Sequence, residues 1–206
     1  MRVLIIANGE RPAKSLFLSE LNKADILIAA DGGALTCLDY EIKPDVVIGD
    51  MDSFHRKAGL HLNIIVDPDQ ETNDLEKALN YSFKAGGRYV TVLGATGSRL
   101  DQTLKNISVM AQLTSKFKDI VFKDSHGWMK ILPRSYSLKT KPNTLISLFP
   151  VSGRVDGIKT TGLEYPLNSE PLENGVRDGS SNRATHDEIT ISHQNGILLL
   201  MVYENL

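Results

Sequence analysis

Six short runs rich in Val and Ile, at residues 3–6, 26–29, 46–48, 64–66, 89–93 and 120–122, punctuate the first part of this 206-residue chain. Their nearly continuous apolar character is that of strands buried on both faces, as in a parallel sheet. Amphipathic segments lie between them. In 73–85, Leu75, Leu79 and Phe83 recur every four residues, Asn73 and Glu76 have capping-box spacing, and Gly86-Gly87 supplies a stop. In 99–117, Leu100, Leu104, Ile107 and Ala111 form one apolar stripe. Strands that alternate with helices require crossover connections, so this part predicts an α/β fold with a doubly wound, mostly parallel sheet.

After about residue 125 the rhythm changes. Helical periodicity stops and turn pairs crowd in: Pro142-Asn143, Ser152-Gly153, Asp156-Gly157, Asn174-Gly175, Asp178-Gly179 and Asn195-Gly196. Strand-like runs at 145–149, 188–193 and 197–203 sit between them, and Asn195-Gly196 between two such runs predicts a hairpin. The expectation is therefore an α/β domain over residues 1–125 and a small all-β sandwich or barrel domain over 126–206. The linker is short, and the sequence has no repeats.

Charge narrows the function. A formal net charge of -2 with 23% charged residues offers no basic face for nucleic acid or a membrane surface. No apolar run approaches the ~18 residues of a membrane helix, and residues 1–6 are too short a run for a signal peptide; a cytoplasmic setting fits. The one cysteine, Cys37, excludes an intrachain disulfide and a cysteine metal cluster and reads as a core residue. The five histidines show no metal-ligand spacing. Trp128 and Tyr165 suit either core packing or a stacking platform.

The carboxylates are unevenly placed. Residues 45–76 hold eight acidic side chains (Asp45, Asp50, Asp52, Asp67, Asp69, Glu71, Asp74 and Glu76) against two basic ones, Arg56 and Lys57. Asp50 and Asp52 follow the run 46–48, Asp69 and Asp74 follow 64–66, and Asp101 follows 89–93 through the loop Gly94-Ala95-Thr96-Gly97-Ser98. In an open α/β sheet, ligands bind beyond the carboxyl ends of the strands. Three strand ends thus deliver carboxylates to one sheet edge, and such a gathering calls for a cation, with Mg²⁺ matching hard oxygen donors shared with phosphate. Each has a bland reading too: Gly49–Ser53 as a turn, Asp74 as a helix-dipole partner, Asp101 as part of a capping pair with Ser98. The 94–97 loop lacks the Gly-Lys-Ser/Thr of a Walker loop but can aim backbone N–H groups at phosphate. Arg99, in a first helical turn, suits a phosphate contact. Asn8-Gly9 and Asp31-Gly32-Gly33 are further strand-end loops that serve equally as plain turns.

Taken in order, Ala30-Asp31-Gly32-Gly33-Ala34, Gly49-Asp50-Met51-Asp52-Ser53, Asp69-Gln70-Glu71-Thr72-Asn73-Asp74 with Lys77-Ala78-Leu79, and Gly94-Ala95-Thr96-Gly97-Ser98-Arg99-Leu100-Asp101 resemble the thiamine pyrophosphokinase family. Thr161-Gly162-Leu163-Glu164-Tyr165-Pro166-Leu167 and Ser180-Ser181-Asn182 are similar to that family's substrate-side β domain. The resemblance spans nearly the whole chain. It implies transfer of diphosphate from Mg-ATP to the hydroxyl of thiamine, with release of AMP. It also implies a homodimer with active sites at the subunit interface.

By position, Asp50, Asp52, Asp74 and Asp101 match catalytic and metal-binding aspartates, and Arg99 matches a phosphate-side arginine. Gln70 matches a thiamine-contacting glutamine, Tyr165 an aromatic over the thiamine ring, and Ser181 with Asn182 a pyrimidine-binding pair. Asn8, Asp31, Gly32, Gly33, Gly94, Thr96 and Gly97 fall to the nucleotide. The metal set read this way is Asp50, Asp52 and Asp101, with Asp74 taking the alcohol proton. Ser98 and Gln102 stand where the family loop has a second Gly and a His, and Tyr165 where relatives often carry Trp.

Two other readings compete. Asp-x-Asp after a strand resembles aspartyl-nucleophile phosphatases, but Gly49 intervenes before Asp50, and Phe54 stands where those enzymes place Thr or Val. A nucleotide-sensing module without turnover leaves the carboxylates unexplained, since ATP is itself anionic.

Overall fold

The computed structural model of the chain describes residues 1–54 and 61–204; His55, Arg56 and Lys57 lie outside them. Two compact units divide it, Met1–Ser125 and His126–Leu206.

In the first unit, six strands form a wholly parallel sheet: β1 (Arg2–Ile6), β2 (Ile26–Ala30), β3 (Val46–Gly49), β4 (Ile64–Val66), β5 (Tyr89–Leu93) and β6 (Asp119–Lys123). Their spatial order is β6-β5-β1-β2-β3-β4. Helices α1 (Lys14–Leu21), α2 (Gly33–Asp39), α3 (Asp74–Lys84) and α4 (Leu100–Leu113) make the crossovers. Leu4, Ile6, Leu27, Ala29 and Val47 form one core layer with Phe17 of α1 and Ala34 and Cys37 of α2, while α3 packs on β2 and β3. Cys37 is fully buried, and burial pushes its thiol up to about 12, so it is an inert core residue.

Helix α3 forms where the apolar spacing predicts. Asn73 caps it by accepting the Glu76 N–H at 3.0 Å. Only half of a capping box is made, because the Glu76 carboxylate instead meets Gln112 at 3.2 Å and Lys105 at 3.6 Å. Gly86, at φ 93°, ends the helix region, with its N–H on Phe83 O.

Helix α4 departs from its predicted stripe. Its buried residues are Asn106, Val109, Met110 and Leu113, whereas Leu100 and Leu104 are 73% and 57% exposed. The two stripes differ by about half a turn, and both carry apolar residues, so periodicity alone did not choose between them.

The second unit is a sandwich of two four-stranded antiparallel sheets, ordered β12-β9-β14-β7 and β11-β10-β13-β8. The strands are β7 (Gly127–Ile131), β8 (Ser135–Lys139), β9 (Leu145–Pro150), β10 (Arg154–Thr161), β11 (Asn168–Glu173), β12 (Gly179–Arg183), β13 (Glu188–Ser192) and β14 (Leu198–Tyr203). Inward residues of both sheets, among them Ile146, Leu148, Ile158, Leu172, Ile189, Ile191 and Leu200, form its core. Trp128 packs on that core, while its indole N–H donates to Glu204.

The predicted hairpin at Asn195-Gly196 does not form. β13 pairs with β8 and β10, and β14 with β7 and β9, so the segment carries the chain from one sheet to the other. Side contacts hold it there: Gln194 N–H on Asp156 O, and the Arg134 guanidinium on Gly196 O. Asp156-Gly157 is likewise no turn between strands but a register shift inside β10, with Gly157 at φ 65°.

Among the described residues, no helix is long and apolar enough to cross a membrane. The α4 geometry makes a direct prediction. Met110→Ala should cost about 2–5 kcal/mol in urea unfolding, and Leu104→Ala about 0.5 kcal/mol or less.

Candidate active site

The winding of the first sheet creates the cleft. From central β1 the chain steps outward through β2, β3 and β4, then returns to β5 and β6 on the other side of β1. The connections leaving β1 and β5 therefore diverge, and the opening between them lies at the carboxyl ends of the strands. Backbone bonds fasten its two lips at the base: Gly9 N–H to Gly94 O at 2.8 Å and Glu10 N–H to Thr96 O at 2.7 Å. A Cβ on Gly9 would stand 2.4 Å from both carbonyls, so glycine is required for this approach.

The cleft holds about 450 Å³, in the range of small-ligand sites. Asn8, Gly9, Asp50, Asp52, Gln70, Asp74, Gly97, Ser98, Arg99 and Gln102 line it. Asp31, Gly32, Gly33, Gly94 and Thr96 are not among its lining residues. A Cβ on Gly33 would lie 2.0 Å from Ile6 O, and one on Gly32 would strike the Asn8 side chain at 2.3 Å. These glycines hold the start of α2 tight against the end of β1, beneath Asn8.

Three carboxylates converge on the floor. Asp31, Asp50 and Asp74 each offer an oxygen, all within 4.8 Å of one another. Asp31 is 1% exposed and accepts the N–H groups of Ser53 at 3.0 Å and Phe54 at 3.2 Å, which fixes the 50–54 loop. Asp50 folds the same loop by accepting Asp52 N–H at 3.2 Å, and Gln70 reaches it at 3.4 Å. Gly49 lets the cluster close, since a Cβ there would lie 2.7 Å from Asp31 Cβ and 2.9 Å from Asp74 Oδ1. Asp52 lies at the exposed rim, bonded to the Ser53 hydroxyl at 2.8 Å. Asp69 points into its own turn, with Thr72 at 2.6 Å.

Lys77 is a site residue that motif reading passed over. Its side chain is only 2% exposed, lines the cleft and lies 3.6 Å from Asp74 Oδ1. The signal was available: a lysine three positions after Asp74 and flanked by the buried Leu75, Ala78 and Leu79 falls on the inward side of α3. Asn106, buried on α4, also lines the cleft and was not singled out.

Arg99 and Asp101 form a forked pair, Nε to Oδ1 at 3.1 Å and Nη2 to Oδ2 at 2.5 Å, with side chains 69% and 64% exposed. Asp101 is not among the cleft-lining residues, whereas Arg99 is. The guanidinium holds the Asp101 carboxyl below the usual carboxylate range. Ser98 takes φ 57°, a conformation that glycine reaches without strain.

In the second unit, the Asn182 amide bonds to backbone. Oδ1 accepts the Tyr165 and Arg183 N–H groups at 3.0 and 2.8 Å, and Nδ2 donates to Tyr165 O at 2.8 Å. Asn182 thereby clamps the segment that presents Tyr165, whose side chain stays 65% exposed. Ser181, at φ 58°, is exposed, and its N–H reaches Ser147 Oγ at 3.1 Å.

The floor suits a hard divalent cation. Asp74 Oδ1 is buried without a hydrogen-bond donor among the described residues, and the Lys77 ammonium lies 3.6 Å from it. Burial, then the neighbouring Asp31, raises the Asp74 pKa; burial foremost raises that of Asp31. Groups raised in the fold stabilise it fully below the ordinary carboxylate value of 3.8 and lose that contribution as pH rises through their folded values. Burial thus disfavours the charged forms of Asp31 and Asp74, a cost that a cation beside them relieves.

Two thermal-melting outcomes follow. Mg²⁺ should raise the melting temperature at pH 7, with the gain shrinking as pH falls through the raised Asp31 and Asp74 values. Asp50→Asn, which keeps an oxygen for Asp52 N–H, should leave the metal-free melting temperature unchanged or higher.

Comparison with known proteins agrees with this architecture. The profile of the thiamin pyrophosphokinase catalytic domain matches residues 17–122, and that of the family's vitamin B1 binding domain matches 135–198. The Bacillus subtilis thiamine pyrophosphokinase is 26% identical over 206 residues, spanning 96% of each chain. Thiamine pyrophosphokinase 1 of Oryza sativa subsp. japonica is 24% identical over 216 residues, covering 89% of this chain and 81% of that one. The solved Bacillus subtilis structure superposes with a TM-score of 0.85 over the whole of both chains. The Candida albicans structure reaches the same TM-score of 0.85 at 19% identity, over 98% of this chain and 90% of that one, a likeness of fold alone. With the catalytic-domain profile alone covering more than half of its length, the chain belongs to the thiamin pyrophosphokinase family.

Proposed function

We infer that the chain is a thiamine pyrophosphokinase, a transferase that moves the diphosphate of ATP onto the primary alcohol of thiamine and releases AMP. Its family membership supports this reading, and one observation carries it to the residues. Three carboxylates meet on the floor of a cleft whose opposite lip is a glycine-bearing loop beside an arginine. A site that gathers like charges around a point and offers N–H groups and a cation a few residues away suits a metal-bound polyphosphate.

Asp50 and Asp74 would hold Mg²⁺, with Asp31 bracing the loop beneath them and Asp52 at the rim. When bound, the ion supplies charge neutralisation and orientation for the phosphates. This division differs from the reading by motif, which gave Asp101 to the metal and Asp74 to the alcohol. It follows the convergence of Asp74 with Asp50 and the pairing of Asp101 with Arg99. Arg99 engages a phosphate by exchanging Asp101 for it, and the loop from Gly94 to Ser98, with Asn8, borders the nucleotide. Lys77 keeps Asp74 ionised and aimed into the cleft. The thiamine alcohol attacks the β-phosphorus; its proton goes to a carboxylate oxygen of the cluster or to water.

In the second unit, Tyr165 is proposed to cover the thiamine ring and Ser181 to border the pyrimidine; in the first, Gln70 is a proposed thiamine contact. Asn182 contributes by holding the Tyr165 backbone. The working form proposed is a homodimer with active sites at the subunit interface, in the cytoplasm. The dimer should sediment at twice the mass of the chain.

The decisive assay incubates the pure protein with thiamine, ATP and Mg²⁺ and separates the products. Thiamine diphosphate should appear in step with AMP and vanish with EDTA. ADP with thiamine monophosphate would refute the attacked phosphorus. In the same assay Asp50→Asn and Asp74→Asn should each lower kcat by about 100-fold or more.

A further inference from the structure

We infer that Asn73 and Asn106 form a positioning relay that fixes the distance between the carboxylate floor and the phosphate-side loop. The inference rests on the function proposed above. Asp74 opens α3 and the 94–98 loop belongs to the β5–α4 connection, so no local chain geometry sets their separation. A chain of hydrogen bonds spans it. The Glu76 N–H donates to Asn73 Oδ1 at 3.0 Å, Asn73 Nδ2 to Asn106 Oδ1 at 2.8 Å, and Asn106 Nδ2 to Ala95 O at 2.8 Å. Asn73 immediately precedes Asp74, and Ala95 is the second residue of the loop.

The ends dictate the direction of the chain. A backbone N–H can only donate and a backbone carbonyl can only accept, so each amide has one workable orientation. Asn106 is 8% exposed, and buried hydrogen bonds in series reinforce one another.

Neither residue needs this arrangement for stability alone. Asn73 caps α3 with its oxygen, and any good capping side chain would do that. Its Nδ2 donation is additional. Asn106 sits in the middle of α4, where asparagine is a poorer helix former than leucine or alanine and where Val109, Met110 and Leu113 already face the core. A polar residue there gains only by bridging. The bridge joins what must hold the cation to what must hold the phosphates, and errors of about 1 Å in such a spacing cost turnover steeply.

Asn73→Asp separates positioning from folding. Aspartate caps a helix as well as asparagine, but it has no N–H to offer Asn106. With oxygen at both Ala95 and residue 73, either rotamer of the Asn106 amide sets oxygen against oxygen. Three measurements apply: melting of the ligand-free protein, calorimetric binding of Mg²⁺ with an α,β-methylene ATP analogue in the absence of thiamine, and steady-state turnover.

The expected result is a melting temperature within about 4 °C of the parent, analogue binding weakened about tenfold, and kcat lowered about tenfold or more at saturating substrates. Asn106→Ala should give a similar loss, and the double variant no greater loss than either single change. Unchanged binding and kcat in Asn73→Asp would overturn the relay, as would additive losses in the double variant or a loss that merely tracks melting. A parent that binds the analogue yet forms no thiamine diphosphate would refute the proposed function, while the binding comparison would still decide the relay.

Discussion

The missing side chain at Gly49 governs the first unit's chemistry. A single methyl there would collide with Asp31 and with Asp74 Oδ1. Because it is absent, the ends of β2 and β3 and the start of α3 approach closely enough for three carboxylates to share one point. Burying these carboxylates is costly without a cation: burial foremost raises the pKa values of Asp31 and Asp74, and for Asp74 the neighbouring Asp31 and Asp50 add to it. Such a cluster persists because the sheet over-determines it: Asp31 N–H bonds to Ile48 O, and Asp67 N–H to Gly49 O. The fold thus stores an electrostatic conflict in a rigid place, which is how functional sites commonly trade stability for activity.

Much of this was legible in the sequence, and the boundary of legibility has a physical cause. Short Val- and Ile-rich runs identify doubly buried strands, and strand ends identify where ligands bind, so Asp50 and Asp74 could be placed at one edge before any coordinates. The sequence could not rank the aspartates. Asp31 looks like a turn former beside two glycines, yet it is the most buried of the set. Asp101 looks equivalent to the rest, yet it faces Arg99. Which carboxylates share a point depends on sheet register and on close approaches such as that at Gly49, and these are long-range.

The same distinction explains the errors of pattern. Both sides of α4 carry apolar residues at helical spacing, and the choice between them was made by what α4 packs against. At Asn195-Gly196 the local signal for a tight turn was sound, since Gly196 does take φ 83°. What failed was the assumption that a turn joins paired strands. In a sandwich, one turn in several carries the chain across the core, and nothing in two residues distinguishes that case. Asn182 adds a different point: its amide bonds the Tyr165 backbone in both directions, so a motif position can also matter through the neighbour it holds.

Ser98 and Gln102 both stand apart from the carboxylate cluster. Ser98 occupies a left-handed conformation where glycine is the easier residue. Serine holds that conformation at a modest cost in strain, because Gly97 at φ 77° turns the chain beforehand and Arg99, the N-cap of α4, follows directly. The left-handed turn of the loop is therefore kept with a serine at this position. Gln102 is exposed on the first turn of α4, beside the Arg99–Asp101 pair and apart from the group of Asp31, Asp50 and Asp74. A side chain at that rim influences what enters and leaves the cleft more than the charge balance on its floor. Both positions lie at the 94–98 loop and the first turn of α4, outside the group of Asp31, Gly49, Asp50, Asp74 and Lys77 that makes the cluster itself.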